Sequence, residues 1–317
     1  MIYILYFILL LALELAYFKL ADKFNIIDKP NERSSHTTIT LRGGGVIFYL
    51  GILLYFIVSG FQYPWFVLGL TLISAISFAD DIKPQSSKIR LIIHFSAMVL
   101  IFYQWQLFNL PWYFTLIALI ICTGIINAYN FMDGINGITA TYSLVIALTL
   151  LYVNTYHISF VDSQMIYILI LSLLVFLFFN FRKKAKCFAG DIGAVSIAFI
   201  LLFLLGMLML QTNNFSYIIF LIVYGVDTVL TIIHRIILKE NIFEAHRKHA
   251  YQILSNELKL PHLLVSFFYA VLQLIINVGY FIFQSYAYWY LLFVILNLSI
   301  AYILFKKKYF HLHQIKK

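Results

Sequence analysis

Side chains that could bind a metal ion or a phosphate group collect at four points of this sequence. The four collections differ in residue type: the first three contain acidic or amide side chains and the fourth contains histidines and basic residues. The chain has only 13 Asp and Glu among its 317 residues, and the first collection is the pair Asp80 and Asp81, followed by Lys83 and Arg90. Adjacent carboxylates repel each other and are costly beside apolar segments unless a cation or a proton holds them. The pair therefore indicates a site for a metal ion or a phosphate group, although a solvated turn between two helices would also contain such residues.

The second collection lies in the segment 127–137, NAYNFMDGING. If the segment is helical up to Met132, Asn127 and Asn130 are three residues apart and share one face. Gly134 and Gly137 would let the backbone turn and approach a ligand closely. The alternative is an ordinary turn between two membrane helices.

The third and fourth collections are the segments 190–193, GDIG, and 246–249, HRKH. Asp191 could cap the start of a helix, or it could hold Mg²⁺, which prefers one or two carboxylates plus substrate phosphates. In the other segment, His246, Arg247 and His249 suit a diphosphate. Zinc is not expected there because the segment has only two imidazoles and no nearby cysteine.

The composition predicts that membrane-spanning helices carry these residues. The chain is 63% hydrophobic and 11% charged, with a mean hydropathy of +0.92, whereas a soluble domain is roughly a quarter charged. We predict an all-α, polytopic membrane protein with one domain over residues 1–317, and with ten spans as the alternative if the last two segments merge or one is re-entrant. The eleven predicted spans centre on 2–19, 43–59, 63–79, 90–105, 111–127, 138–153, 164–180, 193–210, 216–233, 262–282 and 286–305. The first segment lacks a basic start and a cleavage site, so we expect it to be retained.

The 22 Lys and Arg residues fall into six clusters that occupy alternate gaps between these spans. Cationic loops stay on the cytoplasmic side of a membrane, so this pattern predicts an external N-terminus, a cytoplasmic C-terminus and a site on the cytoplasmic face. The net charge of +9 does not indicate nucleic-acid binding, because the basic residues flank spans and can contact membrane lipids. Cys122 lies in an apolar segment and Cys187 in a predicted cytoplasmic loop, so no disulfide framework is expected.

The four motifs, in this order, resemble the polyprenyl-phosphate N-acetylhexosamine-1-phosphate transferases, polytopic enzymes that start cell-envelope glycans. The segment 30–45 is similar to the family's first cytoplasmic loop, Asp80 and Asp81 to its aspartate pair, 127–137 to its asparagine-rich segment and 190–193 to its GDxG motif. The segment 246–252, HRKHAYQ, resembles the HRxHxYQ signature of the branch that starts O-antigen, which also has an aspartate at the position of Asp227. Three positions depart from the family pattern: Asn136 in place of a frequent aspartate, Leu41 in place of proline and Ala194 in place of serine.

The resemblance implies transfer of an N-acetylhexosamine-1-phosphate from a UDP-sugar to undecaprenyl phosphate, with release of UMP, in the bacterial cytoplasmic membrane. The sugar stays open among GlcNAc, GalNAc and 6-deoxy sugars such as FucNAc or QuiNAc, and the O-antigen signature favours the last group. The muramoyl-pentapeptide transferases are a weaker match because their run of consecutive histidines is absent. A transporter or lipid flippase is the alternative, but its polar residues would gather near the bilayer midplane.

The predicted roles follow from the resemblance and from charge. The metal is Mg²⁺, with Mn²⁺ as an alternative, and it is predicted at Asp191 with Asn130 assisting. Asp80, Asp81 and Asp133 are the predicted catalytic residues, and the aspartate pair could deprotonate the lipid phosphate, organise the metal or act covalently. The predicted substrate-binding residues are Asn127, Asn130, His246, Arg247, His249, Arg42 and Asp227. Arg33, Ser35 and His36 are secondary candidates, whereas Glu14 and His94 are expected to be buried structural groups.

Overall fold

A computed structural model describes residues 1–28, 39–241, 246–309 and 311 of the chain, and it is almost entirely helical. The secondary candidates Arg33, Ser35 and His36 lie outside these residues. The helices are α1 (Ile2–Lys23), α2 (Val46–Val58), α3 (Pro64–Ile82), α4 (Ser87–Gln104), α5 (Trp112–Met132), α6 (Ile138–Tyr156), α7 (Ser163–Asn180), α8 (Gly190–Thr212), α9 (Ile222–Ile237), α10 (Ala250–Gln252), α11 (His262–Ile282) and α12 (Ala287–Tyr309). Short 3₁₀ segments cover Leu107–Asn109, Phe215–Leu221 and Gln284–Tyr286, and a π-helix covers Ile253–Glu257.

Two short strands complete the described structure. β1 (Ile27–Asp28) pairs antiparallel with β2 (Thr40–Leu41), with Ile27 opposite Leu41. Leu41 also forms a bridge with Cys187. This small sheet therefore links the segment before α2 to the segment before α8.

Every predicted span overlaps a helix, so the all-α polytopic architecture is confirmed. Among the described residues, nine helices are long and apolar enough to cross a membrane. α2, with 13 residues, and α4, which begins with Lys88 and Arg90, do not belong to these nine. The count of eleven spans therefore stays a prediction. The last two predicted segments do not merge, because Gln284–Tyr286 separates α11 from α12.

Helix α8 lies at the centre of the bundle. Of its most apolar 18-residue window, 89% is buried, compared with 22% for α5 and 11% for the last helical segment. A helix that is apolar on all sides is stable only when other helices surround it, and α8 packs against α2, α3, α5 and α6. One polar contact crosses this core, a 2.8 Å hydrogen bond between the hydroxyls of Ser74 on α3 and Ser196 on α8.

The loops that carry basic clusters meet at one end of the bundle, which we call the site end. Here α3, α5, α7 and α9 end, and α4, α6 and α8 begin. Side-chain contacts join the loops across this end: Arg42 to Asp81, Asn136 to the carbonyl of Arg182, and Lys306 to the carbonyl of Lys248. The basic clusters that occupy alternate gaps in the sequence thus lie together at one polar end of the bundle. That this end faces the cytoplasm stays a prediction.

Candidate active site

Asp81 holds the beginning of α8. Its side chain is completely buried, and its two carboxylate oxygens accept hydrogen bonds from the backbone N–H groups of Asp191 (2.9 Å) and Ile192 (3.0 Å). The guanidinium of Arg42 pairs with the same carboxylate at 2.7 Å. Carboxylates are stabilised at helix N-termini by the free N–H groups and the helix dipole. Asp81 therefore positions the helix that carries Asp191.

Glycines make this junction close enough to form. A Cβ on Gly190, whose φ is +72°, would lie 2.5 Å from the Asp81 carboxylate and 2.9 Å from the Gly43 backbone. A Cβ on Gly45 would overlap the Cα of Gly193. The N–H groups of Gly44 and Gly45 donate to the carbonyls of Phe188 and Ala189 at 2.9 and 3.1 Å. Without side chains at these positions, the segment before α2 lies flush against the start of α8.

Arg42 lies between two acids at this junction. Its Nη2 is 3.6 Å from Asp191 Oδ1, in addition to the close contact with Asp81. Burial by itself lowers the pKa of Arg42, but Asp81, Asp191 and Asp28 raise it above its usual value. The guanidinium therefore stays charged, and one third of its side-chain surface remains exposed for further contacts.

Asp80 and Asp191 face a narrow polar cleft, which we call the acidic cleft. Its polar lining consists of Asp80, Arg90, His94, Asn127, Asn130 and Asp191, with Ser77 beside them. Asp80 accepts a hydrogen bond from the backbone N–H of Gln85 (2.7 Å) and pairs with Arg90 at 3.0 Å. The Asp80 and Asp191 carboxylates interact with each other. The structure thus brings together the first three motifs of the sequence.

The acidic cleft fits a hard divalent cation. Two carboxylates that repel each other face one space, and the side chains of Asn127 and Asn130 line the same space. Mg²⁺ needs only one or two carboxylates, because waters and substrate phosphates complete its octahedron. Within the described residues, no cluster of three or more His, Cys, Asp or Glu is placed to bind a metal. This donor set therefore does not suit zinc, which requires three or four protein ligands.

The asparagine-rich segment contributes side chains to the lining of the acidic cleft and hydrogen bonds to the structure around it. Asn127 and Asn130 share one face of α5, as predicted, and both line the acidic cleft. Asp133 follows the helix and accepts a 2.6 Å hydrogen bond from the hydroxyl of Thr139. Burial raises the pKa of Asp133 to about 6, and the nearby Asp81 acts in the same direction, although the Thr139 hydrogen bond opposes the shift.

The amide at Asn136, which departs from the family pattern, has a structural reason. Asn136 is buried and donates to the backbone carbonyls of Arg182 (2.8 Å) and Lys183 (3.4 Å). An ionised carboxylate cannot donate and would face those carbonyl oxygens. The neighbouring Gly137 N–H donates to Asn180 at 2.6 Å. This part of the motif therefore fixes the loop between α7 and α8.

Asp227 does not line the substrate cavity described below; it orients His249. Asp227 Oδ1 lies 3.2 Å from His249 Nδ1 and accepts the Ala250 N–H at 3.1 Å, and its Oδ2 accepts the Tyr269 hydroxyl at 2.7 Å. The His249 imidazole is 1% exposed, and within the described chain its Nε2 has no hydrogen-bond partner. A carboxylate on one ring nitrogen fixes the tautomer and the direction of the other. The direct substrate binding predicted for Asp227 stays a prediction, and its contacts in the structure are with His249, Ala250 and Tyr269.

The rest of the histidine segment is arranged around that imidazole. The rings of His246 and His249 lie 5.0 Å apart, and His246 Nδ1 accepts the N–H of Lys248 at 3.3 Å. Burial, together with His249 and Arg235, lowers the pKa of His246 to about 3, so this ring is neutral. Arg247 is half-buried and does not belong to the cavity lining, unlike His246 and His249.

Charged residues tie the segment to two helices. Glu240 pairs with Arg235 on α9 at 3.3 Å and with Lys248. Lys306 on α12 is 4% exposed and donates to the carbonyl of Lys248. Lys306, which the basic cluster at the chain end indicates as a membrane anchor, is therefore a brace for the histidine segment.

A cavity of about 800 Å³ connects the acidic cleft to the histidines. Its polar lining includes Arg90, His94, Asn127, Asn130, Asp133, His246 and His249. Between α4 and α5 it continues into an apolar groove of about 390 Å³, because Phe95, Met98 and Leu119 line both spaces. Phe95 and Trp112 in the groove are more than half exposed on the outside of the bundle. The site therefore accommodates a molecule with an anionic head and an apolar chain.

Several lining side chains were not predicted as site residues from the sequence, among them Phe131, Tyr251 and His94. Phe131 and Tyr251 frame the histidines, with the Tyr251 hydroxyl donating to the Phe131 carbonyl at 2.9 Å. His94 lies one helical turn after Arg90, and this i, i+4 spacing was the available signal. The sequence placed His94 among the structural groups instead. Glu14, placed there too, is fully buried.

A family model described as glycosyl transferase family 4 matches residues 63–211, which include the aspartate pair, the asparagine-rich segment and Asp191. Over this region the chain is similar to glycosyl transferase family 4. It is 27% identical over 309 residues to a probable undecaprenyl-phosphate N-acetylglucosaminyl 1-phosphate transferase of Bacillus subtilis, covering 89% of this chain and 84% of the relative.

Two further relatives match over a shorter part of the chain. An undecaprenyl-phosphate alpha-N-acetylglucosaminyl 1-phosphate transferase of Salmonella typhi is 26% identical, over 59% of this chain and 56% of the relative. A phospho-N-acetylmuramoyl-pentapeptide-transferase of Petrotoga mobilis is 30% identical, over 49% of this chain and 55% of the relative. The chain spans little more than half of the length of these two relatives.

Proposed function

We propose that this protein transfers an N-acetylhexosamine-1-phosphate from a UDP-sugar to undecaprenyl phosphate and releases UMP. The observation that carries the proposal is the continuity of the acidic cleft, the histidine-lined cavity and the apolar groove. A nucleotide-sugar diphosphate suits the polar part, and a polyprenyl chain suits the groove. The relatives named for undecaprenyl-phosphate sugar transfer support the acceptor.

The proposed reaction is a single displacement. An oxygen of the lipid phosphate forms a bond to the sugar-side phosphorus, the bond from that phosphorus to the bridging oxygen breaks, and UMP leaves with that oxygen. Much of the lipid phosphate is already a dianion at neutral pH because its second pKa is near 6. A strong general base is therefore not required. Inversion at phosphorus is expected, and retention with a chiral thiophosphate donor would instead indicate a covalent aspartate intermediate.

Charge neutralisation is then the main task of the site, since both reactants are anions. Asp80 and Asp191, with Asn130, are the residues that would hold Mg²⁺ or Mn²⁺, which would neutralise the diphosphate. In this proposal, Arg42 and the Nε2 of His249 contact phosphate oxygens. Asn127 and Asp133 line the space for the sugar nucleotide. Asp81 has both oxygens occupied, so in this proposal it positions Asp191 and does not take the proton.

We further propose that the site end faces the cytoplasm of a bacterial cell, where UDP-sugars are made, and that the product starts a cell-envelope polysaccharide such as O-antigen. The names of the relatives favour GlcNAc as the first donor to test. A 6-deoxy sugar such as FucNAc or QuiNAc stays a prediction from the HRxHxYQ signature.

The test is UMP release by the purified protein from a panel of UDP-GlcNAc, UDP-GalNAc, UDP-FucNAc and UDP-QuiNAc. Release should require both undecaprenyl phosphate and a divalent cation, and it should stop with EDTA and return with Mg²⁺. The Asp162→Asn variant is a matched control, because Asp162 precedes α7 at the opposite end of the bundle. Absence of release with all four donors would favour the transporter or flippase alternative.

A further inference from the structure

His94 lines two cavities, a position that a purely structural role does not explain. It lies on α4 one turn after Arg90, and both residues line the acidic cleft and the large cavity. Within the part of the chain that the structure describes, no hydrogen bond to its imidazole is found. The imidazole is therefore able to form a hydrogen bond with a ligand in the cavity that it lines.

His94 lies where the polar lining of the acidic cleft meets the apolar lining of the groove. On one side are Asp80, Asn127 and Asn130 of the acidic cleft. On the other side, along the same face of α4, are Phe95 and Met98, which line the apolar groove. An imidazole and a guanidinium at such a boundary suit an anion that is attached to an apolar chain, because the anion keeps polar contacts while the chain enters the groove.

The other ionisable residues near this boundary already have partners. Asp81 is held by α8 and Arg42, and His249 is held by Asp227 on the far side of the large cavity. Arg90 pairs with Asp80 through one terminal nitrogen at 3.0 Å, and its side chain is 41% exposed. A guanidinium carries five N–H donors, so Arg90 can keep this pair and contact an anion as well.

We propose that His94, together with Arg90, binds the phosphate monoester of the acceptor lipid where the acidic cleft meets the apolar groove. This inference rests on the proposed function and adds a residue to it. Either tautomer of a neutral imidazole has one N–H to donate to a phosphate oxygen. His94 would thus hold the acceptor head beside Asp80 and Asp191, within reach of the sugar-side phosphorus.

The first test is equilibrium binding without donor, so that it does not depend on turnover. Purified protein is titrated with undecaprenyl phosphate, undecaprenol and dioleoyl phosphatidic acid. The wild type should bind undecaprenyl phosphate more tightly than undecaprenol, and His94→Leu should reduce that phosphate-dependent advantage about tenfold or more, as expected for a hydrogen bond to a charged group. His94→Gln, which keeps an N–H donor, should reduce it less.

The second test separates the two substrates kinetically. In His94→Leu the KM for undecaprenyl phosphate should rise about tenfold, whereas the KM for the UDP-sugar should stay near the wild-type value. His157→Leu is the matched control, because His157 is exposed at the other end of α6.

Each outcome decides the inference. Equal binding of undecaprenol and undecaprenyl phosphate, or an equal loss of both in His94→Leu, would overturn it, because His94 would then have only a structural role. Binding of phosphatidic acid as tight as that of undecaprenyl phosphate would overturn the assignment to the acceptor. A selective loss of phosphate binding without transfer by any variant would support the inference while the proposed function fails.

Discussion

The same substitution should affect different properties at the neighbouring carboxylates Asp80 and Asp81. Asp81→Asn should mainly reduce stability, whereas Asp80→Asn should mainly reduce activity. Asp81→Asn removes a fully buried charge that pairs with Arg42 at 2.7 Å and accepts two backbone N–H groups of α8. One of those N–H groups would then face the amide nitrogen of the new side chain. Asp80→Asn instead changes a carboxylate of the acidic cleft whose partner, Arg90, is 41% exposed.

The structure sets the expected magnitudes. Removing one partner of a buried ion pair typically costs about 3–5 kcal/mol, so Asp81→Asn should lower the Tm by on the order of 5–10 °C. The Asp80–Arg90 pair is partly exposed, and such pairs are worth about 0–1 kcal/mol, so Asp80→Asn should leave the Tm nearly unchanged. Its loss of activity should be about 10²–10³-fold if Asp80 helps to neutralise the diphosphate.

The assay combines thermal unfolding of both variants in one detergent with UMP release at a temperature where both stay folded. Asp162→Asn controls for the loss of an acid elsewhere. If Asp81→Asn unfolds at the wild-type temperature, or if Asp80→Asn is destabilised as strongly, the division between a positioning and a ligand-binding carboxylate is refuted.

Three further outcomes are expected. Asp227→Asn should lower the rate of UMP release about 10–100-fold with little change in fold, because His249 loses the hydrogen bond that orients its Nε2; wild-type activity would contradict this. Asn136→Asp, although it restores a frequent family residue, should lower the free energy of unfolding by about 1–3 kcal/mol because a carboxylate would face the Arg182 carbonyl; an unchanged stability would contradict the reason given for the amide. His246 has a folded pKa of about 3, below its unfolded value of about 6.5, so the folded state binds fewer protons between these values and wild-type stability should rise with pH in this window. His246→Gln should show a smaller rise, as measured by unfolding at pH 4 and pH 7, and an identical pH dependence would contradict the shift.

Much of the fold could be predicted because a bilayer imposes strict rules on sequence. A span needs about 20 apolar residues, and every predicted segment overlaps a helix. The placement of basic clusters in alternate gaps also predicted which helix ends meet, as the contacts of Arg42 and Lys306 with distant loops demonstrate. The short helix α2 and the charged start of α4 are where the length rule is weakest.

The site was predictable in its members but less so in their roles. Asp80, Asp191, Asn127 and Asn130 were identified from residue type and spacing, and the structure brings them into one cleft. Spacing along the chain could not distinguish Asp80 from Asp81, because the difference lies in which carboxylate points at the N-terminus of α8, a helix that begins more than 100 residues later.

Other roles depended on partners that are distant in sequence. The contacts of Asp227 with His249 and Tyr269, and of Asn136 with Arg182, join helices whose relative placement is a property of packing. Periodicity reports which face of a helix is apolar, but it does not report which neighbour covers that face.

The sequence by itself determined that this is a polytopic helical membrane protein with its chemistry at one end, because hydropathy and charge act locally and leave a local record. It also determined the residue types available to bind phosphate and metal. Only the tertiary structure decided that Asp81 supports the start of α8 and that Asp80 faces the acidic cleft. It also decided that His94 lies between the polar cleft and the apolar groove. These facts depend on distances between residues on different helices, and such distances are set by the packing of the whole bundle around α8.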